Sequence, residues 1–309
     1  MSVLFVTDES FLAHDTGPGH PESIDRLHSV NDALADESFS SLERRAAPRA
    51  SIAQMAAPHT KEFILAVMDA SPDSGYRHID PDTVMSPGTD EAIRRGAGAL
   101  VLAVDEVMDG RAQSAFCAVR PPGHHAKRNH AMGFCFVNNV AVGAYHARNA
   151  GSIHKVAVVD FDVHHGNGTQ DIFWDDPDLF FASTHQYPHY PGTGAAEDTG
   201  AHNNIVNVPL PPGTEGKEFR KAFELDILPS LDSFEPEFIL ISAGFDAHKD
   251  DPLSHMGLEE HDFAWATRMI MQVAARHADG RVVSTLEGGY NLRALGQSAA
   301  AHVKALQGA

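Results

Sequence analysis

Short apolar runs rich in β-branched residues recur along this chain, and each gives way abruptly to polar residues. Residues 3–6, 115–119, 156–159, 179–183, 238–242 and 282–286 are such runs. They are too short for typical helices and read as strands, most of them buried on both faces. Between them, apolar positions three and four apart predict helices. One starts near 21–25, where Pro21 and acidic residues favour a first turn, and runs through Leu27, Val30 and Leu34. The spacing of Phe63, Ile64 and Val67 predicts another over 60–68. A longer helix over 89–107 opens with Thr89 as its cap and Asp90 and Glu91 in the first turn, and Asp109-Gly110 stops it. Gly96 and Gly98 weaken that helix unless close packing needs them. Further helices are expected over 138–148, over 219–231 with Pro229 kinking or ending it, and over 263–277, where the methionines are packing residues. A last one runs through Leu295, Ala299, His302 and Leu306.

Strands and helices in alternation predict an α/β fold, a mostly parallel sheet with helices on both faces. In such sheets ligands bind outside the carboxyl ends of the strands. The 309 residues, 43% of them hydrophobic, can bury one large core or two smaller ones. No linker, repeat or low-complexity tract marks a boundary, so one domain over 1–309 is expected. The N-terminal residues lack the basic start and long apolar region of a secretory signal, and no apolar run approaches membrane-spanning length. A cytoplasmic protein with no membrane partner is the expectation. Asn167-Gly168-Thr169 is then no glycosylation site.

Cys117 and Cys135 are the only cysteines and read as free thiols. A net charge of -19 argues against direct nucleic-acid binding and favours cationic substrates. Of the twenty histidines, position decides which matter.

The sharpest position is the end of the run 156–159, where Asp160-Phe161-Asp162-Val163-His164-His165-Gly166-Asn167-Gly168 follows. If the extended geometry persists, Asp160, Asp162 and His164 point to one side. Two carboxylates and an imidazole suit zinc, and iron(II), cobalt or manganese accept the same donors. The other strands end in polar residues too: His124-His125 after Arg120-Pro121-Pro122-Gly123, Asp246 after Gly244-Phe245, and Tyr290 after Glu287-Gly288-Gly289. Asp162, His164 and Asp246 would complete a three-ligand catalytic site with an open position. His124 and His125 would then serve as general base and acid, and the Tyr290 hydroxyl would donate to an oxyanion. The chemistry implied is metal-assisted amide hydrolysis.

These stretches, with Gly19-His20-Pro21-Glu22 and Gly133-Phe134-Cys135-Phe136-Val137-Asn138-Asn139, resemble the motif set of the histone deacetylase superfamily. The flavour is that of class II and bacterial histone deacetylase-like amidohydrolases, and the match runs in order from Gly19 to Tyr290. The resemblance implies an arginase-like fold, one zinc on Asp162, His164 and Asp246, and Tyr290 polarising the acyl carbonyl. It suggests structural potassium near Asp160, Asp162, His164, Ser183 and Thr184. It also implies a tunnel with Phe134, beside Gly133, and Tyr190 as aromatic walls, and with Gly288 on the substrate path. In class I members aspartates pair with both tandem histidines. Here Asp160 can pair with His124, but Asn167 stands in the second place, so His125 is expected to be less basic.

The leading expectation is a zinc-dependent deacylase of N-acyl-lysine in proteins or peptides. The alternative within the same chemistry is an acetylpolyamine or other small N-acyl amine amidohydrolase. Polyamine-selective relatives tend to place an acid where this chain has Leu253, although the loop 80–90 could supply one. An inactive acyl-binding module is the rival of another class, and the intact ligand set and Tyr290 count against it. An arginase-type two-metal hydrolase would need more carboxylates. No Gly-x-Ser-x-Gly stretch supports a serine hydrolase. A homo-oligomer is compatible with the sequence.

Overall fold

A computed structural model describes residues 3–150 and 153–308. Eight strands form one sheet: β1 (Val3–Thr7), β2 (Glu43–Ala46), β5 (Ser114–Cys117), β6 (Val156–Asp160), β7 (Leu179–Gln186), β8 (Ile205–Leu210), β9 (Phe238–Ala243) and β10 (Val282–Leu286). Two short strands, β3 (Arg77–His78) and β4 (Val84–Met85), make a separate antiparallel pair. The large sheet has the order β2-β1-β5-β10-β9-β6-β7-β8, and every neighbouring pair is parallel. Parallel strands need crossovers, and helices supply most of them.

The helices are α1 (Ile24–Leu34), α2 (Ile52–Met55), α3 (Lys61–Asp69), α4 (Thr89–Met108), α5 (Asn139–Asn149), α6 (Asn167–Phe173), α7 (Gly216–Ala222), α8 (Leu228–Phe234), α9 (Glu260–His277) and α10 (Leu292–Leu306). α4 packs on α5, and the pair covers β1, β5, β6, β9 and β10. α1, α9 and α10 form a second group that meets the sheet through α10 on β5. The middle strands are buried throughout. Val158 of β6, for example, lies level with Phe181 and Leu240 on its two neighbours. Both cysteines are free and buried. Among the described residues no helix is long and apolar enough to cross a membrane.

α1 begins at Ile24, inside the expected 21–25, and ahead of it Glu22 turns inward to Arg26 and Arg120 while its carbonyl accepts from the Thr16 hydroxyl at 2.6 Å. Several expectations are corrected. Thr89 is the first residue of α4, not its cap. Its hydroxyl oxygen accepts the Ser86 N–H and meets His14 Nδ1, both at 2.9 Å. Pro229 does not end its helix. Residues 223–227 widen into a π turn in which the Leu228 N–H reaches the Phe223 carbonyl, and Pro229 opens α8 where a missing N–H costs little. The extended geometry stops at Asp160. The Asp162 N–H then donates to Asp160 Oδ1 at 3.0 Å and the His164 N–H to Asp162 Oδ1 at 2.8 Å, which folds the segment into turns.

Candidate active site

Because all eight strands run the same way, their carboxyl ends share one edge, and the polar stretches after β5, β6, β9 and β10 meet there. Asp162, His164 and Asp246 converge although two of them come from turns and one from a different strand end. One donor atom from each lies within 4.8 Å of the others, and all three residues are buried. His164 Nδ1 sits 3.1 Å from Asp162 Oδ1 and 3.0 Å from Asp246 Oδ2.

That separation is about what neighbouring ligands of a small divalent ion have when each bond is about 2 Å. The backbone keeps the space open. A Cβ on Gly288 would stand 2.1 Å from Asp246 Oδ2 and 2.6 Å from Asp162 Oδ2, so no larger residue fits. Two buried carboxylates around one imidazole also create a demand for positive charge. Burial alone would lower the His164 pKa, yet its hydrogen bonds to the Asp162 and Asp246 carboxylates push it up to about 10. The donor set therefore fits a divalent cation.

The tandem histidines follow β5 and are set in two different environments. His124 donates from Nδ1 to Asp160 Oδ2 at 2.9 Å. Burial opposes its charge, but the Asp162 and Asp160 carboxylates outweigh burial and raise its pKa to about 10. His125 Nδ1 bonds Asn167 Oδ1 at 2.8 Å. A neutral amide offers no charge to offset burial, and the neighbouring His124 and His164 add repulsion, so His125 is held well below the ordinary histidine range. The Asn167 hydrogen bond acts the other way, raising the value, but burial and the two histidines outweigh it.

Tyr290 is aimed by its backbone and by a cation. Its N–H donates to Asp251 Oδ2 at 2.7 Å, and the Arg26 guanidinium lies 5.0 Å from its ring centre. Burial raises the phenol's pKa well above its usual value, so it remains a hydrogen-bond donor. Arg26 itself is fixed by Glu22 at 2.9 Å and by the carbonyls of Gly289 and Glu287.

Above this floor stands a cavity of about 250 Å³ lined by Asp82, His125, Gly133, Phe134, His164, His189, Tyr190, Leu253 and Tyr290. Phe134 meets Tyr290 edge-on at 6.0 Å, and Tyr190 meets His125 edge-on at 5.2 Å. Phe134 holds a left-handed backbone, φ 67°, with its N–H on the Thr83 hydroxyl at 3.1 Å. Gly288, expected along the substrate path, is not among the lining residues. Its N–H instead donates to Asp162 Oδ2 at 2.8 Å.

Ser183 pairs in register with Asp160, and its hydroxyl meets His185 Nδ1 at 3.0 Å; Thr184 is buried beside it. Sequence reasoning missed four contributors. Glu287 accepts the N–H groups of Gly123 and His124 at 2.7 and 3.1 Å and so positions the histidine turn. Asp251 anchors Tyr290, Arg26 underlies it, and His189 lines the cavity. Only Glu287 carried a sequence signal, an acid immediately after an apolar strand.

Comparison with known proteins agrees with this geometry. Residues 20–306 match the model of the histone deacetylase domain. The chain is 37% identical to a probable deacetylase of Archaeoglobus fulgidus, with 93% of this chain and 81% of that protein covered. It is 36% identical to a histone deacetylase-like amidohydrolase of Pseudomonas aeruginosa, with the same coverage. The crystal structure of the HDA15 HD domain superposes with a TM-score of 0.94 at 36% identity, covering 99% of this chain and 88% of that one. A fold shared over nearly the whole length, with a buried acid and histidine cluster at its strand ends, makes this chain a member of the histone deacetylase family and a hydrolase of amides.

Proposed function

We propose that the protein is a zinc-dependent deacylase that removes acetyl or other short acyl groups from N-acyl-lysine side chains of proteins or peptides, and that residues 1–309 act as one catalytic domain. The observation that carries this reading is the buried Asp162–His164–Asp246 cluster at the floor of a narrow cavity walled by Phe134 and Tyr190. A slender apolar chain ending in an amide fits between those rings, and the amide then meets the polar groups at the bottom.

Asp162, His164 and Asp246 would hold the zinc, which when bound makes a water more acidic and the acyl carbonyl more electrophilic. His125 is the proton acceptor, because its partner at Nδ1 is the neutral Asn167 amide, whereas His124 is tied to the Asp160 carboxylate. Once protonated at Nε2, it hands that proton to the departing amine. His124, held by Asp160 at 2.9 Å, supports the site rather than exchanging protons. The Tyr290 hydroxyl donates to the oxygen that becomes negative. A structural potassium ion at Asp160, Ser183 and Thr184 belongs to the same proposal.

One observation favours the second reading, a small N-acyl amine substrate. Asp82 brings a carboxylate to the cavity wall, where a second amine of an acylated polyamine would find it. The test is the ratio of kcat/KM for an N-acetyl-lysine peptide to that for an N-acetylated polyamine, with a chelated control. A ratio well above one that chelation abolishes supports the deacylase, a ratio well below one moves the substrate to small amines, and turnover that survives chelation sinks the metal. Tyr290→Phe is expected to lower kcat by about 10²–10³-fold with metal content unchanged. Asp246→Ala is expected to lose the metal.

A further inference from the structure

A histidine that binds a metal through one ring nitrogen usually has its plane fixed by a hydrogen bond from the other nitrogen to a carboxylate, a carbonyl or water. At His164 no protein group among the described residues supplies that bond. Its Nδ1 faces Asp162 and Asp246, while Nε2 has no hydrogen-bond partner among the described residues. What lies against the ring is another ring. His189 stacks on it with centroids 4.9 Å apart and planes within 19° of parallel, and Tyr190 and His125 touch it only edge-on.

His189 is itself held in place. Its Nε2 lies 2.9 Å from the Leu253 carbonyl, and since a carbonyl only accepts, that nitrogen carries the proton. The Leu253 N–H in turn donates to Asp251 Oδ1 at 3.0 Å, and the other oxygen of the same carboxylate takes the Tyr290 N–H. One carboxylate thus fixes both the phenol and, through Leu253, the ring that covers His164.

We propose that His189 is a positioning residue for the metal site, its stacked ring doing for His164 what a hydrogen bond at Nε2 does elsewhere. This rests on the reading that Asp162, His164 and Asp246 hold a divalent metal. It assigns a role to the one cavity histidine that neither binds the metal nor moves a proton.

Three substitutions separate the ring from its tether. His189→Ala removes both, His189→Asn removes the aromatic face but can still donate to Leu253, and His189→Phe keeps the face without the tether. The readouts are zinc affinity by competition with a chelator and the absorption bands of the cobalt(II)-substituted protein, which report ligand geometry. His189→Ala and His189→Asn are expected to weaken zinc binding by about tenfold or more and to shift the cobalt bands. His189→Phe is expected to stay close to wild type in both.

Unchanged affinity and bands in His189→Ala would overturn the proposal, even if the melting temperature of the metal-free variant fell. So would a His189→Phe variant as impaired as His189→Ala beside a normal His189→Asn, since the tether and not the ring would then matter. Failure of the parent reading looks different. In that case the wild type binds no stoichiometric metal, or Asp246→Ala binds as tightly as wild type.

Discussion

At the scale of single residues, the proposed base role of His125 makes its pairing with Asn167 testable through the pH dependence of activity. The Asn167 amide orients the imidazole at 2.8 Å without adding charge, so burial and the neighbouring histidines keep His125 neutral. Asn167→Asp would place a carboxylate at the same distance and stabilise the imidazolium, a change worth about 1–3 pKa units for an adjacent opposite charge. A general base works only when unprotonated. Raising its pKa therefore moves the acidic limb of the kcat/KM profile toward higher pH. The expected result is a limb shifted upward by at least one unit, with zinc content unchanged. A profile that superimposes on wild type would remove His125 from the role of base. His125 was legible in the sequence as one of two adjacent histidines in the polar stretch that follows one strand, and Asn167 lies in the polar stretch that follows another. Their partnership was legible only through the family resemblance, since 42 residues separate them.

At the scale of elements, the glycines of α4 show what periodicity cannot settle. Gly98 weakens the helix by about 1 kcal/mol relative to alanine. A Cβ there, however, would meet the Pro48 carbonyl oxygen at 1.9 Å and the Ala50 nitrogen at 2.8 Å, both backbone atoms. Overpacking of this kind costs about 1–3 kcal/mol, more than the propensity gain returns. Gly98→Ala is therefore expected to lower the melting temperature clearly, and Gly96→Ala much less, because its Cβ would be 3.2 Å from a side-chain oxygen of Asn139 that can shift. Equal and stabilising effects at both positions would refute the packing argument. The buried strands and the long helices were legible because their apolar patterns are strong. β2 was not, since its sequence Glu-Arg-Arg-Ala lies at an edge and is largely exposed. β8 was missed as well. It contains Pro209, tolerated because the strand forms the other edge. The π turn before Pro229 had no signature at all in the pattern, because it depends on one N–H reaching a carbonyl five residues back.

At the scale of the whole molecule, the layers meet around a histidine that does not line the cavity. His302 of α10 is buried among Phe116, Phe161 and Phe245, and it links α9 to β10. The Thr267 hydroxyl donates to the Phe263 carbonyl at 2.7 Å, so its oxygen accepts from His302 Nδ1 at 2.7 Å. His302 Nε2 is then the lone pair that receives the Ser284 hydroxyl at 2.8 Å. No acid offsets the burial of this ring, and its pKa falls to about 3 from an ordinary 6.5. The folded value lies below the unfolded one, so between those limits the unfolded chain binds the extra proton and folding loses ground as the pH falls. The contribution is complete above about 6.5 and declines by about 1.4 kcal/mol for each pH unit below it. His302→Gln should be less stable than wild type at pH 7, because a shorter-reaching amide fits the site poorly. It carries no such titration, however. The gap between the two proteins, measured by urea denaturation, should therefore narrow by about 1.4 kcal/mol per unit from pH 6 to pH 4.5. Taking the difference cancels the other titrating groups, including Asp160, Asp246 and Glu287, whose raised pKa values act in the opposite sense. A gap that stays constant over that range would mean that His302 is not neutral in the fold, or that the unfolded chain does not protonate it.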